Sequence, residues 1–184
     1  MKRGILLLTL IAGLLVSSAA MAQTDLGLKG VGGAIGFVSP ENVNGTFSLG
    51  IFADNGTIAP RFNLESRLDY WSHSEENFGA KSSISDITLG ARVKYMFEIS
   101  DPRFQPYVGT GLGLHFLHDE TTIPATFGFP AMTVSDSQTK LGLDLGGGVM
   151  MPLNPRVNVM GELWYGIVSD VNQFSLRVGV SSRI

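Results

Sequence analysis

Between Arg61 and Trp71 the side chains alternate. Phe62, Leu64, Leu68 and Tyr70 stand at even positions, and Arg61, Asn63, Glu65, Arg67 and Asp69 at odd ones. A period of two describes a strand with one apolar and one ionic face. Similar stretches recur along the chain. They predict eight strands, over residues 28–38, 45–53, 61–71, 84–97, 106–117, 139–151, 156–167 and 173–184. No stretch keeps a sustained helical period. Pro40, Pro60, Pro102, Pro106, Pro124, Pro130, Pro152 and Pro155 all fall outside the strand middles. Proline cannot donate to a β-ladder, so this spacing suits a continuous sheet.

The connections are of two kinds. Residues 54–60, 100–105 and 152–155 are short and carry Gly, Asn, Asp or Pro, as tight turns do. Residues 39–45, 72–83, 118–139 and 169–173 alternate with them, and two of these four are long. Short turns at one end and long loops at the other are the habit of barrels in the bacterial outer membrane. An even number of strands returns both termini to the short-turn end.

The apolar face can be followed through every strand, for example Val31, Ile35 and Phe37, then Ile87, Leu89 and Val93, then Leu176, Val178 and Val180. The opposite face is glycine and charge: Gly30, Gly32 and Gly36, then Arg92 and Lys94, then Gly109, Gly111, Gly113 and His115. A secreted lipocalin-like barrel would turn the apolar face inward. Two features point the other way. Eight strands enclose a space that side chains just fill, and glycines beside long Arg, Glu and Lys side chains suit it. On a solvated surface such glycines would weaken strands without benefit. The apolar-face aromatics also gather at strand ends. Phe37, Phe47, Tyr70, Phe116, Tyr165 and Phe174 fall at the long-loop end, and Phe62, Tyr95 and Phe97 at the short-turn end. Two aromatic girdles around an aliphatic band match two membrane interfaces.

The start of the chain differs in composition from the rest. Met1-Lys2-Arg3, an apolar run from Gly4 to Val16 and Ala20-x-Ala22 read as a secretory signal peptide over residues 1–22, cleaved after Ala22. Residues 23–184 then form one domain. Loss of Lys2 and Arg3 moves the formal charge from −3 to −5. A mildly acidic chain offers no footprint for nucleic acid. There is no cysteine, which excludes a disulfide framework. Hydrophobic residues make up 44% of the chain, and no later segment reaches the length of an apolar helical span. A membrane crossing here must use strands.

Near mid-strand the polar face carries Glu65, Asp144 and Glu162 against Arg67, Arg92 and Arg177. An unpaired charge in a narrow lumen costs several kcal/mol, so these six are expected to form a paired network. Its simplest role is to fill the lumen; a gate or ion path is the functional alternative. His115, His118, Asp119 and Glu120 cluster where the fifth strand enters the longest connection. A metal site or His-acid pair is conceivable there, but no serine motif accompanies it, and a polar rim is the simpler reading. Gly109-Thr110-Gly111-Leu112-Gly113 is not followed by a helix, so it reads as strand rather than phosphate loop. Ile123, Phe127, Phe129, Met132 and Val134 make the connection 119–138 unusually apolar, fit to cover the mouth, touch lipid, bind a partner or pack on itself.

Pro106-Tyr107-Val108-Gly109-Thr110-Gly111-Leu112-Gly113 and the final strand, from Phe174 to Ile184, resemble the small outer-membrane β-barrel family typified by the OmpA transmembrane domain and OmpX. The resemblance covers about residues 26–184. It implies an all-β, eight-stranded antiparallel up-and-down transmembrane barrel in the cell outer membrane. It implies outer-membrane lipid and lipopolysaccharide as surroundings, and recognition of strand 174–184 by the barrel assembly machinery. In such proteins the last strand usually ends in an aromatic; here it ends in Ile184, with Ser182 at an outward position. Related lipid A deacylases carry a His-x-Ser constellation on a late strand, and the late strands here contain no histidine. The expected role is structural or surface-interacting, through connections 72–83 and 118–139 and a surface ligand, without cofactor, metal or enzymatic activity. The alternatives are a narrow porin-like channel lined by the six charges and, less favoured, a lipid A-modifying enzyme near His115 and His118.

Overall fold

The computed structural model describes residues 24–41, 43–77, 79–101, 103–125, 130–169 and 171–184. The expected signal peptide, Pro102, Phe127 and Phe129 lie outside the described residues. Eight strands follow in chain order: β1 (Asp25–Pro40), β2 (Thr46–Ala59), β3 (Phe62–Asn77), β4 (Ala80–Met96), β5 (Gln105–Ile123), β6 (Met132–Pro152), β7 (Val157–Val168) and β8 (Gln173–Arg183). Each pairs antiparallel with the next, and β1 closes on β8 from Gly30↔Arg183 to Pro40↔Gln173. Closure satisfies the backbone without leaving a sheet edge along the barrel wall, which is what a strand-built membrane crossing requires. No helix among the described residues is long and apolar enough to cross a membrane.

The alternation decides the two faces of the wall. Ile35, Phe47 and Leu141 are 72%, 82% and 64% exposed, while Arg92 and Lys94 are 2% exposed. The barrel is therefore inside-out relative to a water-soluble one, with aliphatic side chains outside and charges inside.

Several boundaries differ from those expected. The connections 72–83 and 118–139 are not loops over most of their length. The β3–β4 ladder runs on to Asn77↔Ala80 and the β5–β6 ladder to Ile123↔Met132. Sequence alternation fades there because the outward face turns polar. Tyr70, Ile87 and Phe116 share one row, and the next outward row is Ser72, Ser85, His118 and Ser137. Thr121, Thr122, Ile123, Thr133 and Val134 still favour strand, so backbone pairing continues past the hydrophobic signal. The four strands β3 to β6 thus project beyond the ring as a curved sheet.

At the opposite end, residues 54–60 are not a simple turn. β2 continues through them with register shifts after Asp54 and Thr57. Gly56 has φ +84°, and a Cβ there would lie 2.1 Å from the Asp25 carbonyl oxygen. Asp54 Oδ1 accepts from the Gly56 amide at 2.8 Å and from Asn63 Nδ2 at 2.7 Å. Glycine freedom and an aspartate acceptor together hold this bulge.

Candidate functional site

The lumen is filled in layers along the barrel axis. At the end that carries the termini, a pocket of about 310 Å³ opens between Asp54, Asn63, Met96, Met150 and Ser181. Above it Lys94 Nζ donates to Glu65 Oε2 and, at 3.0 Å, to Glu162 Oε1. The Tyr107 hydroxyl donates to that same glutamate oxygen. Arg92 Nε and NH2 donate to Asp144 Oδ2 at 3.0 and 2.7 Å, and its guanidinium lies 3.7 Å over the Trp164 ring. Arg67 pairs with Asp69, whose Oδ1 also accepts from Arg177 NH1 at 2.8 Å. Toward the hairpin end His115 Nδ1 meets Asp86 Oδ2 at 2.7 Å and Thr88 Oγ1 at 3.0 Å. Trp71 and Leu117 are the cross-strand neighbours of Asp86 and are buried beside it, as are the inward-facing Val38 and Val168 near the ends of β1 and β7; Trp71 Nε1 donates to Gln173 Oε1 at 3.1 Å.

The glycine face makes this filling possible. A Cβ at Gly146 would sit 2.3 Å from the Leu163 carbonyl and 2.7 Å from the Trp164 ring; one at Gly111 would sit 2.6 Å from Arg92 Cγ. Each glycine gives its volume to a larger side chain on a neighbouring strand.

The six charges singled out from the sequence are all buried. Their partners are not all one another. Arg92 meets Asp144, and lies 4.0 Å from Glu162. Arg67 and Arg177 converge on Asp69 instead, and Glu65 is held by Lys94. Asp69 and Lys94 were legible as lumen-facing, but counting only mid-strand positions left them out. β3 runs on to Asn77, so Asp69 is far from its end; Lys94 stands two residues from the end of β4 at Met96 and is buried all the same, because its ammonium reaches Glu65 and Glu162. The five lumenal carboxylates Glu65, Asp69, Asp86, Asp144 and Glu162 face four bases, Arg67, Arg92, Lys94 and Arg177, with His115 hydrogen-bonded to the fifth acid.

Residues 115–120 do not assemble as one cluster. Strand alternation sends His115 into the lumen and sets His118, which meets Ser137 Oγ at 2.9 Å, on the outer face. Asp119 returns to the inner face. Among the described residues no group of three His, Asp or Glu side chains is placed to hold a metal. Nor does Thr88–His115–Asp86 form a proton relay. Both partners touch the same imidazole nitrogen, whereas a relay needs the nucleophile and the acid on opposite nitrogens.

Outside the barrel, Phe37 and Phe47 meet edge to face at 6.4 Å, and Tyr95 bridges Phe62 and Phe97 at 5.1 and 5.0 Å. Tyr165 and Phe174 are direct cross-strand partners. Tyr70 and Phe116 stand in the last apolar row before the polar one described above.

Above that row the projecting sheet has its own concave face. A recess of about 490 Å³ lies between Asn44, His73, Glu75, Ser82, Ile84 and Asp119. Glu75 Oε1 meets His73 Nε2 at 3.0 Å and accepts from Asn44 Nδ2. The His73 contact, with Asn44 adding to it, holds the exposed Glu75 carboxyl below its ordinary range.

A closed, inside-out ring with a filled ionic lumen defines a transmembrane β-barrel. The sequence matches the model of the outer membrane protein beta-barrel domain family over residues 8–183, and the chain belongs to that family. Solved structures agree on the fold. Neisserial surface protein A is 19% identical with a TM-score of 0.65, covering 84% of this chain and 96% of that one. A major outer membrane protein of Thermus thermophilus is 16% identical with a TM-score of 0.59, covering 86% and 100%. Ail, the attachment invasion locus protein of Yersinia pestis, is 14% identical with a TM-score of 0.52, covering 86% and 100%; Ail is also known in complex with the heparin analogue sucrose octasulfate. No curated protein matches the sequence.

Proposed function

We propose that this protein is a non-enzymatic surface protein of the outer membrane, which holds a ligand-binding sheet outside the cell on a plugged barrel. The observation that carries this reading is the four-stranded extension of β3 to β6. Its strands add up to ten residues beyond the ladder that closes the ring, since β6 begins at Met132 and its pairing with β7 begins at Gly142. A purely structural anchor has no need of such an extension. In this reading residues 1–22 are removed after Ala22 on export, and the termini face the periplasm. The nine girdle aromatics mark the two interfaces with lipid and lipopolysaccharide. Strand 174–184 is the segment offered to the barrel assembly machinery.

The lumen supports anchoring over transport. Its charges are paired across the bore rather than ranged along an open path, and Val38, Trp71, Leu117 and Val168 fill the bore toward the hairpin end. A channel would need this stack to move, and lipid A chemistry would need a histidine reachable from outside with its partners on opposite nitrogens.

The test is exchange of the two hairpins. Cells carrying the barrel with residues 74–83 and 120–135 replaced by tight turns should keep the folded protein at the surface, seen as a heat-modifiable band. They should lose adhesion to host-cell or extracellular-matrix surfaces. Unchanged adhesion with normal surface display would overturn the reading.

A further inference from the structure

The vestibule of about 310 Å³ at the terminus end has an unusual lining. Five methionines follow residue 22, and three of them, Met96, Met150 and Met160, border this space. Strand alternation turns all three inward, from β4, β6 and β7. Met150 and Met160 are direct cross-strand partners, so their Cβ atoms stand about 4.5–5.5 Å apart. Met96 enters from the far side of β5, opposite Tyr107. The remaining two lie elsewhere: Met151 on the outer face and Met132 at the start of β6 in the projecting hairpin.

Methionine often serves to fill irregular gaps in a core. These three do not fill. Deeper in the bore, Trp164, Tyr107 and Arg92 press against Gly146, Gly148 and Gly111, as filling demands. The three methionines instead border open volume. Their sulfurs also keep their lone pairs. The Tyr107 hydroxyl lies 3.9 Å from Met160 Sδ but gives its proton to Glu162 Oε1.

The charge around the vestibule is short of one positive group. Its floor sets two carboxylates, Glu65 and Glu162, against the single ammonium of Lys94. On the wall, Asp54 is held by neutral donors, the Gly56 amide and Asn63 Nδ2. Arg61 is taken by Glu98, and Arg183 stands exposed at the rim. The five lumenal carboxylates likewise exceed Arg67, Arg92, Lys94 and Arg177 by one. A monovalent cation in the vestibule balances that excess.

We propose that Met96, Met150 and Met160 form a binding site for a soft monovalent metal ion, Cu(I), inside the terminus end of the barrel. Thioether sulfur is a soft ligand that selects Cu(I), whereas hard cations seek carboxylate, carbonyl and water. The three sulfurs hold the ion, and Glu65 and Glu162 offset its charge. The donors are neutral, so no proton is released on binding. This site lies at the opposite end of the molecule from the projecting sheet and does not rest on the surface-binding reading.

The test uses the full barrel in detergent with isotope-labelled methionine methyl groups. It is titrated with Ag(I), a redox-inert stand-in, and with Cu(I) under anaerobic conditions. The methyl resonances of Met96, Met150 and Met160 should shift together and saturate at one equivalent, while those of Met132 and Met151 stay in place. X-ray absorption of the copper complex should show sulfur neighbours. Met150→Leu and Met160→Leu conserve volume and should keep the heat-modifiable band. Each should weaken Cu(I) binding, measured against a chromogenic Cu(I) chelator, by about tenfold or more. Met151→Leu should bind as the parent does, and excess magnesium should not displace the ion.

The methyl shifts need no variant, so the proposal is tested even where a leucine lowers stability. No binding by the folded barrel, or a copper shell of nitrogen and oxygen alone, would refute it. So would shifts confined to the His73 and His118 rings, displacement by magnesium, or affinity unchanged in both leucine variants.

Discussion

Lys94 is the residue on which the lumen turns. Its ammonium lies between Glu65 and Glu162, which belong to strands on opposite sides of the bore, and 4.8 Å from the Tyr107 ring centre. Removing one member of a buried charge group leaves the others uncompensated, at a cost of about 3–5 kcal/mol. Lys94→Met should therefore lower the unfolding free energy of the barrel, measured by urea titration in detergent, by that amount. Adding Glu65→Gln and Glu162→Gln to Lys94→Met should recover most of the loss, because neutral groups replace two stranded carboxylates. A triple variant no more stable than the single one would show that lysine acts here by packing rather than by charge. Gly146→Val tests the volume side of the same design. Its Cβ has no room beside the Leu163 carbonyl and the Trp164 ring, and a loss of about 1–3 kcal/mol is expected by the same unfolding measurement.

At the scale of elements, the strands change solvent partway along. β5 is apolar outward through Leu112, Leu114 and Phe116, then turns to His118, Glu120 and Thr122 while its ladder with β6 continues. The apolar outer band thus ends at a row of residues, not at a strand end, and the expected membrane boundary lies there. A charge scan along the outer face should find it. Leu112→Arg is expected to cost about 2–4 kcal/mol and Thr139→Arg about 0–1 kcal/mol in unfolding from lipid vesicles. Similar costs at both positions would place the boundary elsewhere. This division also shows what was legible in the chain. The alternation at 61–71 assigns every side chain there to lumen or lipid, because burial in each solvent leaves a hydrophobic mark. Residues 72–77 and 118–123 carry no such mark, since both their faces meet water. Pairing there is held by backbone hydrogen bonds, which sequence composition barely records.

For the whole molecule, charge is distributed by compartment. The lumen is close to balanced, the end with the termini carries acids and bases in similar number, and the excess of acid gathers on the projecting sheet. An anchored sheet on a plugged ring should conduct poorly. Planar bilayers holding the purified barrel are expected to show no steady ohmic openings, and sustained conductance would sink the plugged-lumen reading in favour of a channel. The projecting sheet adds a mild pH response. Glu75 is held below its ordinary range by His73 and Asn44, so their contact contributes above the ordinary carboxylate range and is lost as pH falls through the lowered value. NMR of the His73 ring should report that loss at acidic pH, below the point where a free glutamate titrates.

Strand number and the inward and outward faces of each strand are legible in the chain, because each depends on a period of two that is written locally. So is the entry of charges of both signs into the bore. Which charge meets which is set by the closed fold. Lys94 and Glu65 are 29 residues apart, and Arg177 and Asp69 are 108 apart. Those separations are closed by the register of every intervening strand and by the β1–β8 seam, where a shift of one residue would turn lumenal side chains to lipid. The same register carries β3 to β6 past the ring, where, among the described residues, Met132–Thr139 pairs only with β5, a consequence of unequal strand lengths that no single strand reveals.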